Sequence, residues 1–324
     1  MAGAAVAAAD GGGEEDEIMK TTIAMLRISL AVGIALALIP SASQAAPLVY
    51  PSADAAATAL IDAVQSKDKP ALAKVLGADY KTFIPSDGID QDDVDAFLAA
   101  YKANHKIVEK DGTSRLEVGN AGWTLPIPIV KSGTGYTFDL KAGHDEIIAR
   151  QIGRNELDTQ QAVLAYYDAQ REYAEEDRNG DGLREYAQKF ASTPGKHDGL
   201  YWDAKEGEPQ SPLGPLFSGK AFPKGEGYHG YHYRILTAQG PSAPGGAYDY
   251  IVGGRMRNGF ALIAWPVKYG ETGIMSFMVS HDGEVFEKDL GKNGAAVAQA
   301  MKTFDPDSSW HQDEELDTPD TPDH

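Results

Sequence analysis

Asn155–Asp177, NELDTQQAVLAYYDAQREYAEED, is the stretch whose reading decides the fold. Ala162, Tyr166, Ala169 and Tyr173 recur at three- and four-residue spacing with Val163 beside them, the apolar stripe of a long amphipathic helix. Downstream the period changes to two. Tyr231–Ala238, Tyr248–Met256, Phe260–Pro266, Gly273–Ser280 and Val285–Lys288 read as successive strands, with Asn258-Gly259 and Asp282-Gly283 as hairpin turns. Gly294–Thr303 reads as a short closing helix. Between the long helix and the strands, Gly195–Gly227 is rich in Gly and Pro. Leu200, Tyr201, Trp202, Leu213, Leu216 and Phe217 make it too apolar for a free linker, so an ordered loop region is expected.

Upstream, Ser52 can cap a helix with Ala57, Leu60, Ile61 and Val64 on one face. Asp68 can cap a second, with Pro70 in its first turn and Leu72, Val75 and Leu76 inward. Asp90 can cap a third, carrying Val94, Phe97, Leu98 and Tyr101. Lys106–Val118 then alternates around Asp111-Gly112, a hairpin. Trp123–Val130 and Tyr136–Leu140 read as two further strands joined by Ser132-Gly133-Thr134-Gly135. The fold class is α+β: N-terminal helices plus antiparallel strands, then a long helix on an antiparallel meander.

The chain has 324 residues, 48 acidic and 29 basic side chains and no cysteine. With 42% hydrophobic and 24% charged residues the composition is globular. The formal charge of −19 argues against a surface for nucleic acid, which needs clustered Lys and Arg. The absence of cysteine removes disulfides, thiolate metal sites, cysteine nucleophiles and lipoprotein anchoring together. Near the N-terminus, Ile28–Ile39 is one apolar run, preceded by Lys20 and Arg27 and followed by Ser43-x-Ala45. That order is a secretory signal peptide, and the run is too short to span a bilayer core about 30 Å thick. Glu14, Glu15, Asp16 and Glu17 put negative charge where a signal should be positive, so a start at Met19 is expected. Cleavage after Ala45 would leave a chain of charge −16 with no membrane span, periplasmic or secreted. The expected organisation is a signal peptide over 1–45, an N-terminal α+β domain over 46–152, a C-terminal domain over 153–312 and a disordered acidic tail over 313–324.

Two fold resemblances follow from this order. The three helices and the strands closing on Gly135-Tyr136-Thr137-Phe138-Asp139 resemble the cone-shaped nuclear transport factor fold. The long helix and its meander resemble the head domain of type IV pilins, although here another domain precedes the helix, which departs from a membrane-embedded pilin helix. At the level of the whole chain, Trp123-Thr124-Leu125-Pro126-Ile127-Pro128, Arg150–Leu157, Lys196-His197-Asp198-Gly199-Leu200-Tyr201-Trp202, Ser211–Gly214, Tyr231–Gly240 and Phe304-Asp305-Pro306-Asp307 resemble the bacterial domain-of-unknown-function family 2950. The resemblance implies export and an uncharacterised role, with no catalytic residues to carry over.

The sharpest chemical motif is D-x-N-x-D-G-x-x-E over Asp177–Glu185. Oxygens of Asp177, Asn179, Asp181, the Leu183 carbonyl and Glu185 alternate as in a calcium loop, and Gly182 permits the sharp turn. Position 12 is Gln188 in place of the bidentate Glu, which lowers charge and oxygen count, so weak Ca²⁺ binding is expected. The flanks fit, with a helix entering and Tyr186–Phe190 expected to leave as another; the bland reading is a polar turn between two helices. Gly214–Ala221 spells G-x-x-x-x-G-K, but Ala221 replaces the Ser or Thr that holds Mg²⁺. Ser280-His281-Asp282 holds triad residue types, yet neighbours on a strand point to opposite faces. His229 and His232 diverge for the same reason. Asp145, Glu146, Arg150, Arg154 and Glu156 at the domain junction read as ion pairs that fasten the two halves, with a polar cleft as the alternative. Tyr228, Tyr231, Tyr233, Tyr248, Tyr250, Trp265 and Tyr269 are read chiefly as core packing, with an exposed face for a glycan or peptide as the alternative.

The reading is therefore an exported, non-enzymatic cell-envelope protein, a binding or assembly module for an envelope protein, peptide or glycan. Its catalytic residues are unknown. The alternative is an extracytoplasmic hydrolase using carboxylates such as Asp198 and Asp203 near Tyr201 and Trp202. An enzyme requires titratable groups converging in one concave pocket.

Overall fold

The computed structural model describes residues 48–84, 91–178, 180–205, 207–214 and 227–313. The signal segment, the Asp90 cap, Asn179, Leu216, Phe217, the Lys220-Ala221 step and residues 314–324 lie outside the described residues. Among the described residues no helix is long and apolar enough to cross a membrane.

The fold is α+β. Helix α1, Ala53–Gln65, starts where Ser52 Oγ accepts the Ala55 N–H, and it buries Ala57, Leu60 and Ile61. Helix α2, Lys69–Leu76, is capped by Asp68, with Pro70 in the first turn where no N–H is missed. A short α3, Tyr80–Phe83, was not legible in the apolar pattern. Helix α4, Gln91–Ala103, buries no residue fully.

Strands β1, His105–Lys110, and β2, Thr113–Val118, pair antiparallel around Asp111 and Gly112, both at positive φ as a tight hairpin turn requires. The expected strand Trp123–Val130 is two pieces, β3 Trp123–Thr124 and β4 Ile129–Ser132. Pro126 and Pro128 lack the N–H a continuous ladder needs. Strand β5, Gly135–Phe138, completes the sheet β1-β2-β4-β5, with β3 on β2. Helices α1 and α2 lie against this sheet, and Leu60, Ile61, Leu116, Val118, Ile129 and Phe138 form one buried core.

Helix α5 runs from Leu140 to Ala174, fifteen residues earlier than the apolar stripe indicates. Asp139 caps it through the Ala142 N–H. Its first half has no stripe of its own, because it meets the N-terminal region through few positions. At Gly143 a Cβ would sit 2.9 Å from the Ile127 side chain, so the helix touches that segment backbone-first.

The second half of α5 lies across a five-stranded antiparallel sheet, β15-β13-β12-β11-β6. Its members are β6 Tyr231–Leu236, β11 Ala261–Pro266, β12 Met275–Ser280, β13 Val285–Asp289 and β15 His311–Gln312. Every residue of β11 is buried, as expected of a central strand covered on both faces. Between β6 and β11 come β7 Ala238–Gln239, β8 Tyr248–Asp249, β9 Ile251–Val252 and β10 Arg255–Met256. Here the expected single strand Tyr248–Met256 is broken, because Gly253 and Gly254 turn it into the β9–β10 hairpin. Helix α6, Gly294–Ala300, ends where the Arg234 guanidinium donates to the carbonyls of Ala298, Gln299 and Met301. Strand β14, Thr303–Phe304, pairs parallel with β7.

Two hydrophobic cores result, and α5 serves both: Leu140 packs on the first, while Val163, Tyr166, Ala169 and Tyr173 belong to the second.

Candidate functional site

The C-terminal end of α5 and the loop after it enclose a cavity of about 200 Å³ lined by Tyr173, Glu185, Tyr186, Ala187, Gln188, Lys189 and Asp198. Behind the lining residue Ala187 stands Gln170, which is fully buried. Its amide nitrogen donates to the Ala187 carbonyl at 2.8 Å and its amide oxygen accepts the Ala187 N–H at 2.8 Å. The helix thereby holds the loop as a neighbouring strand would. The preceding residue, Tyr186, donates its N–H to the Met256 carbonyl, and Gln188 Nε2 donates to the Gly254 carbonyl at 3.0 Å. Tyr186–Phe190 is thus extended along the β9–β10 hairpin and does not leave as a helix, contrary to the calcium-motif expectation. Its hydrogen bonds go to other segments, not along its own chain.

The far wall is the turn Thr193–Asp198. Asp198 Oδ1 accepts the Thr193 N–H at 2.7 Å, and Oδ2 accepts Thr193 Oγ1 at 2.9 Å and Lys189 Nζ at 2.6 Å. Burial raises the Asp198 pKa, but the bonds from Lys189 and Thr193 outweigh it and pull the carboxyl down to about 2. At Gly199 a Cβ would lie 2.8 Å from the Ala191 backbone, so only glycine allows the two segments to run this close. Behind the turn, His197 stacks on Trp202 with ring centres 4.3 Å apart, and the Arg178 guanidinium lies 5.8 Å over the same indole. Tyr173 Oη donates to the His197 carbonyl at 2.7 Å.

The acidic loop forms the rim. Asp177 accepts the N–H groups of Gly180, Asp181 and Gly182, and Asp181 Oδ1 accepts that of Leu183. Asp181 pairs with Arg255, whose guanidinium is also 3.6 Å from Glu185. Glu185 is pushed up by burial and by the Asp181 charge, against the pull of Arg255. A cation between Asp181 and Glu185 would have to displace Arg255. Among the described residues no three acidic or histidine side chains are grouped to hold a metal ion.

The residue families of Lys196–Trp202 and Arg150–Leu157 both acquire a physical role here. Arg150 donates to the Thr124 carbonyl and hydroxyl and pairs with Glu146 at 2.8 Å. Six residues on, Glu156 accepts the N–H groups of Ile274 and Met275, and Asn155 donates to the Thr272 carbonyl. One stretch of helix therefore fastens β3 on one side and the start of β12 on the other. The chain belongs to the DUF2950 family. Its description is a protein of unknown function, and the match spans residues 48–312. Neither a curated protein nor a solved structure matches the chain. The stretches of this DUF2950 chain that carried the resemblance thus mark the clamp and the cavity wall.

The other candidates do not form a second site: Asp282 touches both Ser280 and His281, at 3.4 and 3.7 Å, with the carboxylate and not the imidazole in the middle. Asp203 is bonded by the Tyr201 hydroxyl and does not line the cavity. His281 turns its Nε2 to the Tyr248 hydroxyl at 3.1 Å, away from any relay with Ser280. His229 pairs with Asp158, while His232 lies against Trp265, where burial lowers its pKa. Tyr231 and Tyr250 are fully buried and Trp265 nearly so, as packing of the second core requires. Arg154 and Asp145 are exposed on α5. Sequence reasoning missed Tyr173, Gln170 and Lys189 as site residues. Gln170 left a signal: it is the one amide four residues after Tyr166, on the same apolar face.

Proposed function

We propose that this protein is an exported, non-enzymatic component of the cell envelope that binds a partner or stabilises an assembly. The cavity at Tyr173 and Gln188 is its recognition site. The state of the cavity's acids supports this most. Both oxygens of Asp198 are already bonded by Thr193 and Lys189, and Glu185 faces Arg255. General acid–base catalysis needs groups able to exchange protons with a substrate. A fixed polar lining suits recognition. An envelope protein, a peptide or a glycan is the class of partner. The test immobilises the wild-type chain and an Ala187→Trp variant, which fills the cavity, and passes envelope extract over both. A partner retained by wild type and lost by the variant is expected; equal retention overturns the cavity as the site. Export is checked by intact mass from the native host. A chain beginning at Ala46 is expected, and one keeping residues 19–45 overturns it.

A carboxylate-dependent hydrolase is the second reading, favoured by one observation: Glu185 is pushed up and Asp198 down within one cavity. Turnover of a glycoside or ester that Glu185→Gln abolishes would replace the non-enzymatic reading.

The ligand spacing from Asp177 to Gln188 also supports a weak Ca²⁺ site. At ten times its dissociation constant, bound Ca²⁺ stabilises the fold by about 1.4 kcal/mol. Millimolar Ca²⁺ should raise the thermal midpoint of wild type and not of Asp181→Ala. An equal response in both leaves the loop a polar turn.

A further inference from the structure

Away from the Tyr173 cavity, a hollow of about 120 Å³ opens where the ends of β11, β12 and β13 meet the start of α6. Its walls are apolar. Pro266 closes β11, Ile274 precedes β12, Leu290 follows β13 and Ala295 lies on α6. Ile274 and Ser276 stand two apart along one extended segment, so both side chains face the same way, into the hollow.

The two polar side chains that matter here are both unspent. Ser276 is only 1% exposed, yet among the described residues no hydrogen bond engages its hydroxyl. The other buried serines, Ser114 and Ser280, are each bonded to a carboxylate. A buried hydroxyl without a partner costs stability, and what Ser276 meets in place of a partner is the hollow. Lys292 is exposed, lines the same hollow and has no acidic partner among the described residues. The acids close by are engaged elsewhere. Glu271 pairs with Lys268, and the two oxygens of Asp289 accept the Tyr269 hydroxyl and the Gly291 N–H. No carboxylate lines the hollow.

The groups left to meet a ligand are therefore donors: an ammonium with three N–H groups and a hydroxyl able to give its proton. An ionised carboxylate is their complement, since it only accepts. The walls call for a short alkyl body beside it. An apolar cavity of about 150 Å³ holds benzene, so about 120 Å³ holds a group of roughly four carbons. The negative charge of the chain as a whole is screened over about 8 Å at 0.15 M salt, which leaves the choice of ligand to the groups at the hollow itself.

We propose that this hollow binds a short-chain carboxylate of about four carbons, the chemistry shared by a free aliphatic acid and the aliphatic C-terminal residue of a peptide. Its oxygens accept from Lys292 and Ser276, and its alkyl chain lies against Pro266, Ile274 and Leu290. The site stands apart from the Tyr173 cavity and does not depend on how that cavity is read.

The full chain, labelled in the methyl groups of isoleucine, leucine and valine, is titrated in 0.15 M NaCl at pH 7 and followed by NMR. The probes are butyrate, an N-acetylated tripeptide ending in valine, n-butanol and n-butylammonium. Saturable shifts of the Ile274 and Leu290 methyls are expected with butyrate, at an affinity about tenfold above n-butanol, one charged hydrogen bond's worth, with n-butylammonium weakest. Lys292→Gln should abolish the preference for butyrate and leave n-butanol as it was. Ser276→Ala should weaken butyrate about threefold. If the tripeptide binds more tightly than butyrate, the source is the end of a peptide; if less tightly, a free acid. Either result supports the proposal. n-Butanol or n-butylammonium binding as tightly as butyrate overturns the carboxylate, and so does a preference that survives Lys292→Gln. Methyls that stay silent with every probe overturn the site. Should Ser276→Ala fail to fold, the exposed Lys292→Gln variant and the contrast between butyrate and n-butanol on wild type decide.

Discussion

The two cores of this chain are built from different materials. The first, between α1, α2 and the β1–β5 sheet, is mostly alanine and aliphatic side chains, and α4 covers it with residues that are only half-buried. The second is aromatic: Tyr166, Tyr231, Tyr250, Phe260, Phe277 and Phe304 are all essentially fully buried. Small side chains allow helices to approach a sheet closely but remove little apolar area from water each. A buried aromatic ring removes 150–250 Å². The difference teaches where stability and function divide. The cavity lies beside the aromatic core, to which Tyr173 belongs, while α5 also reaches the aliphatic one.

Cutting the chain sharpens the contrast most. Every buried residue of the second core lies at or beyond Val163, and the Glu156 and Asn155 bonds lie within the same piece. We propose that residues 155–312 form a domain in their own right. They should unfold cooperatively, with mixed helix and strand by circular dichroism. Residues 46–152 should unfold at lower urea. A disordered 155–312 piece would mean that the cores are one.

Single truncations come next. Phe260 is fully buried among the rings of Tyr166, Tyr167 and Tyr186. Phe260→Ala should cost about 3–5 kcal/mol in urea unfolding, the usual cost of emptying a core aromatic site. Phe97→Ala on α4, a half-buried ring against the exposed Trp123, should cost no more than about 1–2 kcal/mol, because the site is already part-solvated. Equal costs would erase the distinction between the cores.

The fastening of α5 to the start of β12 is a smaller effect. Glu156→Ala removes a carboxylate that accepts two backbone N–H groups at the start of β12, with an expected loss of about 1–2 kcal/mol. Hydrogen exchange at Ile274 and Met275 should accelerate while exchange in β2 stays as it was. Uniform acceleration would show a global loss in place of a released clamp.

The smallest effect is a pH signature of the cavity wall. Asp198 titrates at about 2 in the fold, below the usual carboxylate value near 3.9. A depressed acid contributes stability above its unfolded value and loses it as pH falls through its folded one. The contribution should therefore be full above about pH 5, mostly lost by about pH 2 and gone near pH 1. The carboxyl keeps some exposure, so about 1 kcal/mol is expected in place of the full linkage value. Wild type and Asp198→Asn should differ by that much at pH 7 and converge in acid. A constant gap would mean that the Thr193 turn does not depend on the charge.

How far the sequence reached differs between elements for physical reasons. The caps at Ser52 and Asp68, the Asp111-Gly112 turn and the stripe from Ala162 to Tyr173 are local rules, satisfied within a few residues, and all appear as read. The α+β class followed from the same short-range patterns, whereas the family followed from the resemblance of the motifs spread along the chain. The first fifteen residues of α5 were illegible because their contacts lie with Thr124, Ile127 and Phe83, far away in the chain. The interruptions at Pro126, Pro128, Gly253 and Gly254 were written in the sequence, but the apolar residues around them spoke louder. The cavity belongs to tertiary structure alone. Its lining comes from the end of α5, the Glu185–Lys189 segment and Asp198. What closes it is a set of hydrogen bonds that this segment donates to Gln170 and to the carbonyls of Met256 and Gly254, which no spacing encodes. Residue types determine which groups can donate, accept or carry charge. Only the folded chain decides which of them have already spent their bonds on each other and which are left to meet a ligand.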